Sequence, residues 1–236
     1  MEATLLAWFE ENRRDLPWRR RRDPYAVLVS EVMLQQTQVA RVVPRFEAWV
    51  ERWPTVEALA AAGTDEVIRA WQGLGYNRRA VTLHRAAGIV AEHGWPRDLT
   101  ELPGVGRYTA DAIRRFAWGE DVLPRETNVA RVIERTGGVF GPAAAEALMD
   151  LGREVCVARV PRCGSCPLAD GCPSRGRRYA PLRKQSRFEG SFRQRRGETL
   201  RLIAGGETER LDGEAVASLA RDGLVEAAGD SVRLPE

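Results

Sequence analysis

The stretch LPGVGRYTA, from Leu102 to Ala110, decides the fold of this chain. Gly104 and Gly106 follow Pro103 and predict a tight bend, because glycine has no Cβ and accepts positive φ. The apolar spacing after Tyr108 then predicts the start of a helix. Such a bend presents backbone N–H groups to one phosphate, but a plain turn between two packed helices has the same composition. The rest of the chain decides between these interpretations.

The spacing of apolar residues predicts helices along most of the chain. The predicted helices are 4–12, 25–34, 39–53, 55–61, 65–71, 78–93, 108–116, 127–136 and 142–155. Strand-type alternation is rare, so the sequence predicts an all-α protein. Beyond Leu182, a polar and basic stretch precedes short helical segments at 199–203 and 212–222 and an apolar pair at 225 and 232–234. This order predicts a small helix-and-wing appendage.

The composition sets the broad class of protein. With 236 residues, of which 44% are hydrophobic and 29% charged, the chain can bury a core of its own. It begins without a basic region followed by a long apolar run, and no later run is long enough to span a bilayer. We therefore expect a cytoplasmic, nucleoid-associated protein without a membrane partner. The net charge is only +3, but basic clusters at 19–22 and 175–196 suit a phosphate backbone, with plain solvated surface as the alternative.

Four cysteines lie within 17 residues, at Cys156, Cys163, Cys166 and Cys172. Two disulfides would be unusual in a cytoplasmic chain. A zinc site with four thiolate ligands and a [4Fe–4S] cluster both fit four cysteines in so compact a loop. The spacing therefore favours a metal centre over none, without separating iron from zinc.

Six motifs together resemble the MutY-type adenine DNA glycosylases of the helix-hairpin-helix superfamily, which also includes endonuclease III. The motifs are LPWR at 16–19, SEVMLQQTQV at 30–39, GLGY at 73–76, the stretch 102–110, NVARV at 128–132 and the cysteine loop. The match covers roughly residues 1–180, and EVMLQQTQ at 31–38 is its most specific part.

The resemblance implies an architecture and a cofactor. It implies a six-helix barrel over 23–130 that contains the helix-hairpin-helix, beside a cluster domain built from 1–22 and 131–185. In that family, this cysteine spacing holds a [4Fe–4S] cluster, and the active site lies in the cleft between the domains. Residues 186–236 are too few for the Nudix-like domain of full-length relatives. We expect a small winged-helix-like DNA clamp there, with a disordered basic extension as the alternative; the residues expected to face phosphate are Arg187, Arg193, Arg195 and Arg196.

Glu31 is the candidate acid. Removal of a base breaks the C1′–N bond, which needs an acid for the leaving base and a carboxylate for the cationic sugar. Glu31 is the lone charge within the apolar run 27–34, where desolvation raises a carboxyl pKa, and a surface position on a helix is the plain alternative. The resemblance places the family's adenine-protonating glutamate at this position.

Glu126 is the candidate second carboxylate. The family pattern is Leu-Asp-Gly-Asn-Val, whereas this chain has Arg-Glu-Thr-Asn-Val at 125–129. We hypothesise that Glu126 replaces the aspartate, one methylene further out, and that Asn128 holds the catalytic water or the carboxylate. Pairing with Arg125 would lower the pKa of Glu126. The alternative is a site that is weakened or retuned for another base, because placement matters at sub-ångström precision.

Tyr108 lies where bifunctional relatives carry the lysine that forms a Schiff base with the sugar. A phenol cannot form one, and Lys184, in the basic tail, is the single lysine among 36 basic residues. The resemblance therefore implies a monofunctional glycosylase without an efficient lyase step.

A base that is extruded from DNA leaves a gap that the protein fills. The residues that the resemblance assigns to that gap and to the base left behind are Gln36, Thr37, Leu74 and Tyr76. Without the resemblance, Tyr76 is a core residue and Gln36 a surface residue. The residues assigned to a phosphate at the hairpin are Gly104, Gly106 and Arg107, and those assigned to the surroundings of the flipped base are Arg14 and Glu146.

We therefore expect a monomeric enzyme of base excision repair. Its partner is double-stranded DNA with a mispair or an oxidised base, from which it removes adenine opposite 8-oxoguanine or guanine. Two alternatives stay open: a glycosylase for uracil or thymine opposite guanine, and a protein that binds lesions without catalysis.

Overall fold

A computed structural model describes residues 1–180, 186–209, 211–228 and 231–236 of the chain. These residues form an all-α architecture with one small antiparallel sheet, as the apolar spacing predicts. In chain order, the helices are α1 (Glu2–Asn12), α2 (Pro17–Arg20), α3 (Pro24–Leu34), α4 (Val39–Arg52), α5 (Val56–Ala60), α6 (Thr64–Ala70), α7 (Arg78–His93), α8 (Arg107–Phe116), α9 (Thr127–Thr136), α10 (Ala145–Glu154), α11 (Phe192–Ala204) and α12 (Gly213–Arg221). The strands are β1 (Glu226–Ala228) and β2 (Ser231–Arg233).

The chain divides into two compact units, each made of two segments. The first unit comprises Met1–Pro24 and Arg107–Gln185, and the second comprises Tyr25–Gly106 and Ser186–Glu236. Over the described ranges, none of the helices has both the length and the apolar character that crossing a bilayer requires.

The core of the first unit is built by α1, α9 and α10. Leu5 and Phe9 of α1 pack against Val132 of α9 and against Leu148 and Leu151 of α10. These residues recur at helical spacing in the sequence, so each helix turns one apolar face inward. This packing fixes the start of α9, where the predicted residues Glu126 and Asn128 lie.

The second unit packs α5 and α6 against α7. Trp49 and Trp71 are fully buried and meet edge to face, with their ring centroids 5.5 Å apart. The Tyr25 hydroxyl accepts a hydrogen bond from Trp49 Nε1 at 3.2 Å and donates one to the Trp53 carbonyl at 2.9 Å. The polar atoms of these aromatic residues are therefore satisfied inside the core.

The C-terminal appendage contains the predicted helices and paired strands. β1 and β2 form an antiparallel pair in which Ala227 lies opposite Val232. Leu200 and Ile203 of α11 and Leu219 of α12 share a core with Ile68 and Val81. The appendage is therefore packed onto the second unit through buried apolar side chains.

The helix α11 begins at Phe192, seven residues before the predicted start at Thr199. Ser191 caps it by accepting a hydrogen bond from the Gln194 N–H at 3.3 Å. Two of the arginines expected to face phosphate have acidic partners instead: Arg195 binds Asp212 at 2.7 Å and Glu214 at 2.8 Å, and Arg196 binds Asp222 at 2.7 Å. The guanidinium groups of Arg195 and Arg196 therefore bind carboxylates of α12 and its ends in this structure, and their contact with phosphate stays a prediction.

Candidate active site

Glu126 is fixed at the N-terminus of α9, where it serves as the helix N-cap. Its Oε1 accepts a hydrogen bond from the Val129 N–H at 3.0 Å, and its Oε2 accepts one from Asn128 Nδ2 at 2.9 Å. The helix dipole favours a negative charge at this end. No ion pair joins Arg125 to Glu126 in the described ranges, so the predicted pairing of these two residues is not observed. The carboxylate is instead oriented by backbone and amide donors.

A hydrogen-bonded network continues from Glu126 toward the cysteine loop. Asn128 Oδ1 accepts a hydrogen bond from Arg131 Nη2 at 2.6 Å. The same guanidinium donates to the carbonyls of Gly152 at 2.5 Å and Cys156 at 2.8 Å. Partial burial lowers the pKa of Arg131 from its ordinary value, and the group remains a cation at neutral pH. Arg131 thus ties the residues beside the carboxylate to the first cysteine of the loop.

Gly152 allows α10 to approach Asn128. A Cβ at Gly152 would lie 2.7 Å from Asn128 Cβ and 2.8 Å from the Asn128 carbonyl oxygen. Backbone atoms cannot move aside as a flexible side chain does, so only glycine fits here. Neither Arg131 nor Gly152 was predicted as a site residue. In the sequence, Arg131 is only an arginine within the motif NVARV, and Gly152 is only a glycine inside a predicted helix.

The other predicted residues of the first unit lie near its helix ends. Arg107 is exposed and Tyr108 partly buried in the first turn of α8. Arg14 Nη1 donates to Glu154 Oε1 at 2.9 Å. Lys184, the residue on which the lyase argument depends, lies outside the described residues.

Glu146 lines a cavity of about 400 Å³ together with Arg22, Arg115 and Trp118. Its carboxylate pairs with Arg19 at 3.0 Å and with Arg22 at 2.7 Å. The cavity therefore carries a carboxylate whose charge is balanced, beside an exposed aromatic ring.

Glu31 lies in the second unit, in the last turn of α3. Its side chain is half-buried, while the adjacent Ser30 and Val32 are buried. This position agrees with partial desolvation of the carboxyl group and argues against a fully solvated helix surface.

Two loops of the second unit hold exposed residues in the left-handed region. Gln36 has φ of 55° and Tyr76 has φ of 46°, and 45% of the Tyr76 surface is exposed. This conformation costs a residue with a Cβ about 1–2 kcal/mol, and such strain clusters at functional sites. Tyr76 is thus not a core residue. Thr37 and Leu74 are buried, joined by a 3.4 Å hydrogen bond from Thr37 Oγ1 to the Leu74 carbonyl, whereas Gln36 and Tyr76 are exposed.

The predicted bend at the hairpin is present, with one difference. Gly104 has φ of 76°, and a Cβ there would lie 2.5 Å from Thr82 Cγ2 of α7. Gly106 has neither a positive φ nor an atom near its missing Cβ. Only Gly104 therefore requires glycine for the turn itself.

The four cysteines line one cavity of the first unit. Cys163 Sγ accepts a hydrogen bond from the Gly176 N–H at 3.3 Å, and Cys156 Sγ lies 3.6 Å from Arg135 Nη1. Burial raises the pKa of the Cys166 thiol above its ordinary value. In the described part of the chain, no three His, Cys, Asp or Glu side chains are close enough to hold a single metal ion. The four thiols thus line one cavity, and N–H donors lie beside two of the sulfur atoms, those of Cys156 and Cys163.

The structure brings the predicted residues together in two sets. Glu126 and Asn128 form one set, in the first unit, and Thr37 and Leu74 lie together beside the exposed Gln36 and Tyr76 in the second. Glu31 lies in the second unit and Glu126 in the first.

Comparison with known proteins defines the family. The chain belongs to the HhH-GPD superfamily of base excision DNA repair proteins, whose family model matches residues 29–156. It is 42% identical to the adenine DNA glycosylase of Mycolicibacterium smegmatis, over 96% of this chain and 92% of that protein. It is 38% identical to the human adenine DNA glycosylase, over 74% of this chain and 39% of that protein.

Solved structures share the fold. A thermostable thymine-DNA glycosylase superposes with a TM-score of 0.65 and 27% identity, over 72% of this chain and 93% of that one. A trapped covalent intermediate of endonuclease III with DNA superposes with a TM-score of 0.61 and 24% identity, over 72% of this chain and 91–92% of the endonuclease III chains compared. The helical architecture is therefore that of this superfamily.

Proposed function

We propose that this chain is a monofunctional DNA glycosylase that removes adenine opposite 8-oxoguanine or guanine. The superfamily and the adenine DNA glycosylases at 42% identity support the reaction class and the base. The main support for a catalytic role of Glu126 is that two hydrogen bonds fix its carboxylate at a helix N-terminus. Its partner is double-stranded DNA that contains the mispair, and the protein acts in the cytoplasm as a monomer.

In this mechanism, Glu31 delivers a proton to the adenine while the C1′–N bond breaks. Glu31 is half-buried in the last turn of α3, and the acid role requires its carboxyl group in the protonated form. The carboxylate of Glu126 stabilises the positive charge that develops on the sugar. Water then adds to C1′, and the Glu126 carboxylate accepts the proton that the water releases. Asn128 donates to Glu126 at 2.9 Å, which supports a role in orienting the carboxylate.

The four cysteines fit a [4Fe–4S] cluster. In a [4Fe–4S] cluster each thiolate binds a different iron atom, so the four sulfur atoms surround the cluster. Four thiols that line one cavity fit this requirement, whereas a single metal ion would need them to converge on one point. Cys156, Cys163, Cys166 and Cys172 would hold it, and N–H donors such as Gly176 would stabilise the negative sulfur atoms. The cluster would supply redox-active iron and a rigid loop, and the chain's own carboxylates perform the excision.

Single-turnover excision tests the assignment of the carboxylates. Glu126→Gln keeps the shape and an acceptor for the Val129 N–H but removes the charge, so we expect excision to slow by about a hundredfold or more. Glu126→Asp keeps the charge and should retain more activity than the Gln variant. An unaffected Gln variant would show that Glu126 is not the catalytic carboxylate, and Glu31→Gln tests the acid in the same assay, with an expected loss of about 10²–10⁴-fold.

A second candidate function is supported by one neighbour. The structure that superposes at 27% identity is named as a thymine-DNA glycosylase, and this name indicates a base other than adenine. Duplexes with adenine opposite 8-oxoguanine, adenine opposite guanine, and uracil or thymine opposite guanine separate the two. Alkali cleavage of only the uracil or thymine duplexes favours the second candidate, and tight binding without cleavage of any duplex favours a non-catalytic protein.

Tyr108 supports the absence of a lyase step. A phenol cannot form the Schiff base that an amine forms with the sugar. We expect no covalent adduct after borohydride treatment during turnover. A stable adduct formed at the rate of excision would overturn the monofunctional assignment.

A further inference from the structure

Arg79 lies in the first turn of α7, between the loops that contain Gln36 and Tyr76. Its guanidinium is partly buried, and the hydrogen-bond acceptors around it within the described part of the chain are all neutral. The acceptors are the carbonyls of Val32, Met33, Gln35, Leu74, Gly75 and Tyr76 and the hydroxyl of Thr37. Nη1 binds the end of α3 and the loop that follows it, whereas Nη2 reaches both loops.

The contacts flank both strained residues. On either side of Gln36, Arg79 Nη1 donates to the Gln35 carbonyl at 2.7 Å and Nη2 donates to Thr37 Oγ1 at 3.1 Å. Just before Tyr76, Nη2 donates to the Gly75 carbonyl at 2.9 Å, and the guanidinium lies 5.6 Å from the Tyr76 ring centroid. One side chain therefore holds the backbone around both residues with positive φ.

This arrangement needs a guanidinium rather than any other cation. Five N–H donors in a rigid plane can reach carbonyls on two loops at once, whereas an ammonium group has three donors on a flexible stem. Burial lowers the pKa of Arg79 to about 10, which still leaves it charged at neutral pH. Burial of a guanidinium charge without a carboxylate partner costs free energy. Residues that are kept despite such a cost are typical of functional sites.

We propose that Arg79 is a positioning residue that holds Gln36 and Tyr76 ready to enter DNA when the target base is extruded. The proposal rests on the function proposed above. Loss of the clamp frees the two loops to leave the left-handed conformation, so discrimination between mispaired and matched duplexes falls while non-specific binding to phosphate is kept. A side chain that only braced α7 would change stability and nothing else.

The test compares Arg79→Lys with Arg78→Lys, two substitutions that keep the charge at adjacent positions. Arg78 is exposed, and its guanidinium pairs with Asp222 at 3.9 Å rather than with the carbonyls that Arg79 binds, so it is a matched control. Both changes are made in the full chain with Glu31→Gln, which slows excision so that binding can be measured. The probe is a duplex with adenine opposite 8-oxoguanine and a 2-aminopurine beside the adenine, with a matched A:T duplex for comparison.

For Arg79→Lys we expect the 2-aminopurine signal of extrusion to fall and the ratio of mispair to matched affinity to drop by about tenfold or more. The affinity for the matched duplex and the cluster absorbance should stay unchanged, and Arg78→Lys should alter none of these readouts. If Arg79→Lys lowers the melting temperature but leaves the ratio and the signal intact, the positioning role is wrong.

Two further results keep the inference separate from the proposed function. If the Glu31→Gln parent gives no extrusion signal and no preference for any mispair, the proposed function fails and the inference with it. If Arg79→Lys does not fold, Arg79→Gln keeps one planar amide donor but lacks the fork that reaches both loops. A drop of a few-fold in the affinity ratio then supports the positioning role, and an unchanged ratio overturns it.

Discussion

Gly104→Ala is the sharpest test of the hairpin geometry. The φ of 76° costs a residue with a Cβ about 1–2 kcal/mol. The new Cβ would also lie 2.5 Å from Thr82 Cγ2, and overpacking of this kind costs about 1–3 kcal/mol. We therefore expect the free energy of unfolding to fall by about 2–5 kcal/mol, measured by urea denaturation followed by circular dichroism.

The chain offers two controls for this substitution. Gly106→Ala, two residues away, meets no atom within 4 Å and has no positive φ, so its effect on stability should be within about 0.5 kcal/mol. Thr82→Ser removes Cγ2 but keeps the hydroxyl that donates to the Arg78 carbonyl at 2.9 Å. In a double mutant, it should recover the packing part of the loss and leave the backbone part. Equal effects of the two glycine substitutions would refute the geometric reasoning.

Three other predictions concern the first unit. Gly152→Ala should destabilise the protein by about 1–3 kcal/mol, because its Cβ meets Asn128, whereas Gly164→Ala meets no atom within 4 Å and should be neutral in the same unfolding assay. Arg131→Lys should lower stability by about 1–3 kcal/mol and slow single-turnover excision by about tenfold, since the fork that holds Asn128 is lost; unchanged excision would contradict this. Cys166→Ser should abolish the broad visible absorbance and lower the iron content from roughly four atoms per chain, and a colourless wild-type protein with zinc would disprove the cluster.

The helices could be predicted from the sequence because their signals are local. α7 and α9 begin and end at the predicted residues, since their apolar faces recur at helical spacing. The start of α11 was missed because its first turns are polar and basic. The acids that neutralise Arg195 and Arg196 lie 17 and more residues away, and a local pattern does not contain them.

The candidate site could be predicted only in part. Glu31, Glu126 and the cysteines stand out as charged or reactive residues in unusual surroundings. The role of Arg79 could not be predicted, because its acceptors are backbone carbonyls, which every sequence supplies. The burial of Leu74 was equally hidden, because a glycine-rich loop does not reveal which side chain faces inward.

Glu126 is both the N-cap of α9 and the proposed catalytic carboxylate, and this restricts the substitutions that the position can accept. The same two oxygen atoms set the first turn of α9 and face the proposed chemistry, so an exchange at this position alters folding and reactivity together. Natural selection can therefore adjust the rate more freely through Asn128, Arg131 and Gly152, which set the orientation of the carboxylate. We expect variants of altered activity to accumulate at these three supporting residues, while position 126 keeps a carboxylate.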